Sequence, residues 1–169
     1  MFEKIWAFIK QFFAVKPVIQ VPPTPLNQLD WMKVAYKYVG VHEVSGPKAN
    51  PVIAAWLQGV GMAPSDEIAW CAAATNGVLK EAGYKSSGRA NARSFVNVGI
   101  ELKTFKPGCI VVFWRDSIQG WQGHVGFGEK MSADGKQVRI LGGNQGNEFN
   151  SSWFSTDRVL GYRWPEPKV

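Results

Sequence analysis

The chain has 169 residues, of which 46% are hydrophobic, with 18 glycines and 10 prolines. This composition is typical of one folded domain with a single core and excludes a disordered chain. The net charge of +6 predicts an anionic partner, such as nucleic acid, an anionic membrane surface or an acidic wall polymer. Lysine and arginine are scattered along the chain rather than clustered, so we predict no nucleic-acid binding.

Two cysteines and two histidines limit the metal chemistry that the chain can support. The sequence contains no Cys-x-x-Cys pair and no His-Glu-x-x-His motif, so we predict no metal site and no cofactor. Cys71 and Cys109 could form one disulfide, but a single bridge is no framework for a domain of this size. We therefore expect free thiols.

The first predicted element is an amphipathic helix over residues 1–16. Its apolar residues recur at helical spacing: Phe2, Ile5, Trp6, Ile9, Phe12 and Phe13. The segment is too short and too charged to span a bilayer, and it lacks the features of a secretory signal. Two alternatives stay open: a helix that contacts an anionic membrane surface through residues 2–13, and a helix that docks on the domain or on another copy.

Four prolines predict an extended, semi-rigid linker over residues 17–27, which leaves residues 28–169 for the compact domain. Apolar periodicity, Asn caps and terminal glycines predict four helices at the start of this domain. They cover Asn27 to Val39, Asn50 to Gly59, Cys71 to Gly83 and, as a short helix, Asn91 to Val98.

Strand patterns replace helical ones in the second half of the chain. Strands are predicted at Cys109–Trp114, His124–Lys130, Lys136–Leu141, Ser152–Ser155 and Val159–Trp164, with a hairpin turn at Asp134-Gly135. Helices first and antiparallel strands second predict an α+β fold, in which helices pack on a sheet of about five strands.

Cys71 is the first candidate functional residue. It follows Asp66-Glu67 and a short apolar approach, and it is predicted to lie in the first turn of an Ala-rich helix. Unpaired N–H groups at that position stabilise a thiolate, so we expect a lowered thiol pKa and ready alkylation. The alternative is that Cys71 is simply a small buried hydrophobic residue.

Thiol hydrolysis also needs an imidazole and a polar group that orients it. His124 begins a predicted strand between Gly123 and Gly126, which would let another backbone or a substrate approach the ring. Asn144 follows the partner strand of the hairpin, so antiparallel pairing would bring it near the start of the His124 strand. The alternatives are a core histidine for His124 and a turn residue for Asn144.

Short motifs follow one another in order through the domain: Gly40-Val41-His42-Glu43, Asn50-Pro51, Trp70-Cys71-Ala72-Ala73, Ala92-Arg93-Ser94-Phe95, Gly123-His124-Val125-Gly126 and Leu141-Gly142-Gly143-Asn144-Gln145. This set resembles the CHAP and NlpC/P60-like group of papain-like cysteine peptidases, most closely the CHAP-like domains of bacteriophage endolysins and bacterial wall hydrolases. The resemblance implies a papain-like catalytic domain over residues 28–169. It also implies a nucleophile at Cys71, a base at His124 and an orienting role for Asn144.

The chain departs from this family pattern at two positions. Cys109 stands where the family usually has an aspartate after the glycine that opens the first strand. Gly142 stands where some CHAP proteins have a glutamate two residues before the asparagine. The orienting role would therefore rest on Asn144 alone.

The resemblance implies a peptidoglycan hydrolase that cleaves an amide bond, as an N-acetylmuramoyl-L-alanine amidase or as an endopeptidase. Trp121, Gln145 and Trp153 are predicted to contact the substrate. Because no cleavable signal is evident, we expect synthesis in a host cytoplasm and action on the cell wall or in the periplasm. The alternatives are a non-catalytic wall-binding module and a papain-like amidase that acts on another substrate.

Overall fold

A computed structural model describes residues 24–44, 49–65 and 68–169. The predicted helix over residues 1–16 and the acidic pair at residues 66 and 67 lie outside the described residues, as does most of the linker. The division into segments 1–16, 17–27 and 28–169 therefore stays a prediction. Within the described ranges, no helix is long and apolar enough to cross a membrane.

Three α-helices precede the sheet: α1 (Asp30–Lys37), α2 (Pro51–Gln58) and α3 (Cys71–Glu81). Helix α2 begins as predicted, because the Asn50 side chain accepts a hydrogen bond from the Val52 N–H and a proline occupies the first turn. The predicted start of α3 at Cys71 is also confirmed. The helix predicted from Asn27 is interrupted by Leu29, whose backbone is extended.

Two short 3₁₀ helices complete the helical part before the sheet. Leu26–Gln28 precedes the extended Leu29. Ala92–Asn97 follows Asn91, whose side chain accepts a hydrogen bond from the Arg93 N–H, so the short helix predicted after Asn91 is present in 3₁₀ form.

Six strands form one antiparallel sheet in the order β1-β6-β2-β3-β4-β5. They are β1 (Ile100–Leu102), β2 (Ile110–Trp114), β3 (Gly123–Met131), β4 (Gln137–Gly142), β5 (Asn150–Ser155) and β6 (Val159–Trp164). The predicted α+β fold with helices against an antiparallel sheet is confirmed. Strand β1 was not predicted, because it has three residues, is mostly exposed and pairs at the sheet edge with β6, so no apolar alternation marks it.

The sheet separates two apolar layers. The layer shared with the helices includes Ile110, Val112, Val125, Phe127 and Leu141. The smaller layer on the opposite face includes Cys109, Val111, Phe113, Val138 and Ile140, with Phe154 packed against them. Successive side chains of β3 alternate between the layers, so Val125 faces the helices while His124 packs beside Phe113 and Phe154.

Candidate active site

The start of α3 is fixed by packing around Trp70. This residue is fully buried, and its indole N–H donates a hydrogen bond to Oε1 of Glu43 at 2.8 Å. The ring also lies against Gly143, where a Cβ would come within 2.3 Å of Cζ3 of Trp70. The first helical residue, Cys71, is therefore held between a loop near α1 and the turn after β4.

The Cys71 sulfur contacts the strand that carries the predicted base. The backbone N–H of Val125, the residue after His124, lies close enough to the thiol to oppose the rise in its pKa. Along β3, the pairing with β4 begins at Phe127, so Val125 precedes the paired part of the strand. The contact brings the helix start and the strand start to the same end of the sheet.

His124 is buried beside two aromatic rings. Its ring stacks on Phe154 with centroids 4.7 Å apart, and the ring of Phe113 lies 6.2 Å away. Both flanking glycines are tightly packed against other groups of the protein. A Cβ at Gly123 would lie 2.6 Å from the Phe113 carbonyl oxygen, and one at Gly126 would lie 2.5 Å from Cγ2 of Ile140.

Gln145 is the hydrogen-bond partner of the imidazole. Its Oε1 lies 2.9 Å from Nε2 of His124. Its amide nitrogen donates to the carbonyl oxygen of Asn150 at 2.6 Å, to Oδ1 of Asn150 at 3.1 Å and to the carbonyl oxygen of Ile140 at 3.2 Å. Because three acceptors surround the nitrogen, the amide can face the ring only with its oxygen.

This arrangement assigns the tautomer of His124. Nε2 must carry the proton, because Gln145 presents an acceptor to it. Nδ1 is then the basic nitrogen, and it is buried with no hydrogen-bond partner among the described residues. A neutral imidazole with a free basic nitrogen is the form that can accept a proton from a thiol.

The pKa values indicate that both groups are neutral near pH 7. Burial raises the pKa of the Cys71 thiol, against the opposing effects of the Val125 and Ala72 backbone N–H groups and the Arg115 charge. Burial lowers the pKa of His124 to about 4; the Gln145 hydrogen bond opposes this shift, and the Arg115 charge adds to it. The expected low thiol pKa is therefore wrong, because desolvation outweighs the N–H groups at the helix start.

Two cavities border these groups. One, of about 250 Å³, is lined by Arg115, His124, Asn144, Gln145, Gly146, Ser152 and Phe154. The other, of about 320 Å³, includes Cys71, Asn91, Arg115, Asp116, Trp121 and Gln122 in its walls. Arg115 belongs to both walls, so the cavity of the thiol and the cavity of the ring meet at this side chain.

Asn144 lies in the wall of the cavity that contains His124, as its predicted position near the ring requires. The hydrogen bond to the ring, however, is formed by Gln145, for which we predicted a contact with the substrate. Asn144 has a left-handed backbone with φ of 58°, which redirects the chain between the two residues. The sequence motif offers two adjacent polar residues, Asn144 and Gln145, as partners of the imidazole. The left-handed backbone of Asn144 determines which of the two side chains faces the ring. A role for Asn144 in the reaction stays a prediction.

The two predicted substrate-binding tryptophans have different surroundings. Trp121 is 72% exposed and lines the cavity of Cys71. Trp153 is 44% exposed, pairs with Arg139 across the sheet and lines neither of the two cavities. Its neighbour Phe154 faces His124, so strand alternation places Trp153 on the other face of β5. Contact of either residue with substrate stays a prediction.

Cys71 and Cys109 are both free thiols. In the described part of the chain, no group of three or more histidine, cysteine, aspartate or glutamate side chains is arranged to hold a metal ion.

Comparisons with known proteins give a distant structural likeness. No protein-family model matches the chain, and no curated protein matches it. A crystal structure described as similar to a lipoprotein of the NLP/P60 family, from Staphylococcus aureus subsp. aureus Mu50, has 19% sequence identity and a TM-score of 0.47. The match covers 85% of this chain and 43% of that one, so this chain spans less than half of the other protein's length. The description names the NLP/P60 part of the motif resemblance and not the CHAP part.

Proposed function

We propose that the protein is a cysteine hydrolase that cleaves an amide bond of peptidoglycan. The observation that supports this most is the imidazole of His124. Gln145 holds the ring in the tautomer whose basic nitrogen is unpaired. The backbone N–H of the next residue along the strand, Val125, lies near enough to the Cys71 thiol to oppose the rise in its pKa.

The reaction that we propose begins with a neutral thiol and a neutral imidazole. Nδ1 of His124 takes the thiol proton while the sulfur attacks the carbonyl carbon, so that the C–S bond forms and the carbonyl electron pair moves to oxygen. The first N–H groups of α3 have no partner within the helix, and we propose that they stabilise this oxyanion.

The second half of the reaction returns the protein to its starting state. The imidazolium gives its proton to the leaving amine as the C–N bond breaks, which leaves a thioester on Cys71. Nδ1 then takes a proton from water, the hydroxyl oxygen attacks the thioester, and the acid product leaves as the sulfur regains a proton. Throughout, Oε1 of Gln145 holds Nε2–H and stabilises the positive ring.

The finer assignment that we propose is an endolysin-like, CHAP-type enzyme that acts on the wall after synthesis in a cytoplasm. The net charge of +6 suits an anionic wall, and Trp121 offers an exposed ring beside the thiol cavity. Residues 2–13 would add contact with an anionic membrane. Full liposome binding by a chain that starts at Leu26 would contradict that membrane contact.

Mass spectrometry of fragments released from purified wall material tests the function. The unaltered protein and Cys109→Ala should release the same fragments, with one new amine and one new carboxyl group formed on opposite sides of each cleaved bond. Cys71→Ala should release none. Release of the same fragments by Cys71→Ala, or of none by the unaltered protein, would refute the proposal. The position of the new termini assigns the bond.

A non-catalytic wall-binding module is the second candidate. The burial of Cys71 and the raised pKa of its thiol favour it. This candidate predicts wall binding without fragment release. It also predicts that Cys71→Ala and His124→Gln affect binding only through stability. Sedimentation with insoluble wall material measures this.

A further inference from the structure

We propose that Arg115 binds a free carboxylate of the substrate beside the scissile amide. The proposal deepens the hydrolase function above and rests on it. It assigns a substrate class, peptides that carry a carboxylate near the bond that is cut, and it gives Arg115 the role of a specificity-determining residue.

The first support is the position of Arg115. It follows the last residue of β2 and begins the loop that leads to β3. Its exposed side chain lines both the thiol cavity and the imidazole cavity. A substrate whose scissile carbonyl contacts Cys71, and whose leaving amine contacts His124, must therefore pass this guanidinium.

The second support is that the guanidinium is free for a ligand. Five ion pairs join described residues, and Arg115 takes part in none of them. Its side chain forms no hydrogen bond with a described residue either. The neighbouring carboxylate, Asp116, lines the thiol cavity only and does not pair with it.

Arg93 provides a contrast within the same region. Its guanidinium is occupied by three backbone carbonyl oxygens of the loop after β2: those of Ser117 at 2.6 Å, Ile118 at 2.7 Å and Gln122 at 2.8 Å. Arg93 therefore holds the loop, whereas Arg115 presents its donors to the cavities.

The third support is chemical. A guanidinium binds a carboxylate through two parallel charge-assisted hydrogen bonds, a geometry that an amide or a hydroxyl group does not match. The polar cavity walls around Arg115 otherwise offer mainly neutral groups, such as Asn91, Gln122, Asn144 and Ser152. At the junction of the two cavities, Arg115 is therefore the cationic side chain that a carboxylate can bind.

The same charge acts on the reaction. Arg115 lies close enough to His124 to lower the pKa of its imidazole, which disfavours the imidazolium that forms during attack. A carboxylate bound to Arg115 would neutralise that effect. The substrate would then contribute to the protonation of its own leaving group, so that its carboxylate should increase kcat as well as lower KM.

The test uses four muramyl tetrapeptides of one sequence. In these, the α-carboxylate of the glutamate, the terminal carboxylate, both groups or neither group is amidated. The unaltered protein should show a kcat/KM about tenfold higher when one particular carboxylate is free. Arg115→Met should reduce that ratio to about one, and Arg115→Lys should leave an intermediate ratio. Arg158→Met, which removes an exposed arginine that lines neither cavity, should keep the full ratio.

Equal cleavage of all four peptides by the unaltered protein would overturn the proposal, as would an unchanged ratio in Arg115→Met. Calorimetric binding of the same peptides to Cys71→Ala separates this failure from failure of the hydrolase function. If no peptide is cleaved, but Cys71→Ala binds the carboxylate forms more tightly and the double variant with Arg115→Met does not, carboxylate recognition stands and hydrolysis fails. If neither cleavage nor binding depends on the carboxylate, the assignment of Arg115 is refuted.

Discussion

The carboxamide of Gln145 satisfies two demands at once. Its nitrogen is held by Asn150 and Ile140, and its oxygen is left for the ring of His124. The side chain that fixes the tautomer is therefore itself fixed by the backbone of β4 and β5. A carboxamide in this position has no proton to gain or lose near neutral pH, so the ring orientation should not change with pH.

Substitution of Gln145 should show that this residue, and not the adjacent Asn144, orients the imidazole of His124. Gln145→Ala should lower kcat by on the order of a hundredfold, since the ring loses the partner that selects its tautomer. Gln145→Glu keeps an acceptor opposite Nε2, so it should retain more activity, and its carboxylate should raise the pKa of His124. Steady-state kinetics over a pH series and NMR of the imidazole measure both effects.

Asn144→Ala is the matched control for these variants. It should change kcat little, because the ring's hydrogen bond comes from residue 145. The opposite result, a large loss in Asn144→Ala with activity kept in Gln145→Ala, would return the orienting role to Asn144.

The two thiols should differ in accessibility more than in acidity. Burial raises the pKa of both, that of Cys109 to about 11, but Cys71 borders a cavity whereas Cys109 is enclosed. Iodoacetamide should therefore modify Cys71 slowly at neutral pH and faster as the pH rises, and Cys109 only after unfolding. Peptide mass spectrometry of the unaltered protein and Cys71→Ala measures this. Rapid modification of Cys71 at about pH 6 would show a preformed thiolate and contradict a neutral pair.

At the scale of elements, the loop between β2 and β3 is the part of the site that depends most on one side chain. The three carbonyl oxygens that Arg93 binds come from this loop, which also carries Arg115 and Trp121. Helical and strand periodicity gave no sign of this contact. It depends on the path of an irregular backbone, which apolar spacing does not encode.

Arg93→Met should loosen this loop. Three carbonyl groups lose a charged donor, so amide hydrogen exchange over residues 116–122 should accelerate, and kcat/KM should fall about ten- to a hundredfold through misplaced groups. Arg89→Met, at an exposed arginine whose side chain makes no hydrogen bond to the loop, should change neither quantity. Lost activity with unchanged exchange in Arg93→Met would instead give Arg93 a direct role in the reaction.

The predicted elements differ in how much of their formation is local. Helix α2 and the β3–β4 hairpin follow from an Asn-Pro cap and an Asp-Gly turn, both readable from neighbouring residues. Strand β1 and the break at Leu29 depend on pairing and packing with distant residues. Local chemistry therefore predicted α2 and the hairpin whose first strand carries His124, and tertiary contacts decided β1 and the break at Leu29.

For the molecule as a whole, the order of helices, strands and motifs along the chain was enough to predict an α+β fold and to identify Cys71 and His124 as candidate site residues. The acidity of the two groups was not predictable in the same way. A helix start favours a thiolate, but here the buried position at the junction of helix and sheet makes desolvation the larger effect. That balance depends on burial, which only the assembled fold determines.

Burial of His124 should also govern how global stability depends on pH. The folded imidazole has a pKa of about 4 instead of 6.5, so between these values the unfolded chain binds a proton that the folded protein does not. The free energy of unfolding should therefore fall as pH decreases from 6.5 toward 4, by about 1.4 kcal/mol per pH unit from this residue, and should level off below that range.

Urea unfolding of the unaltered protein and His124→Gln at intervals across this range isolates the contribution, because the carboxylates titrate in both proteins. The difference in unfolding free energy between the two should change by on the order of 3 kcal/mol across the range, with the unaltered protein losing more stability on acidification. Above pH 6.5 the difference should be constant, since the imidazole is then neutral in both states. Parallel curves over the whole range would mean that the folded imidazole keeps an ordinary pKa and that burial does not lower it.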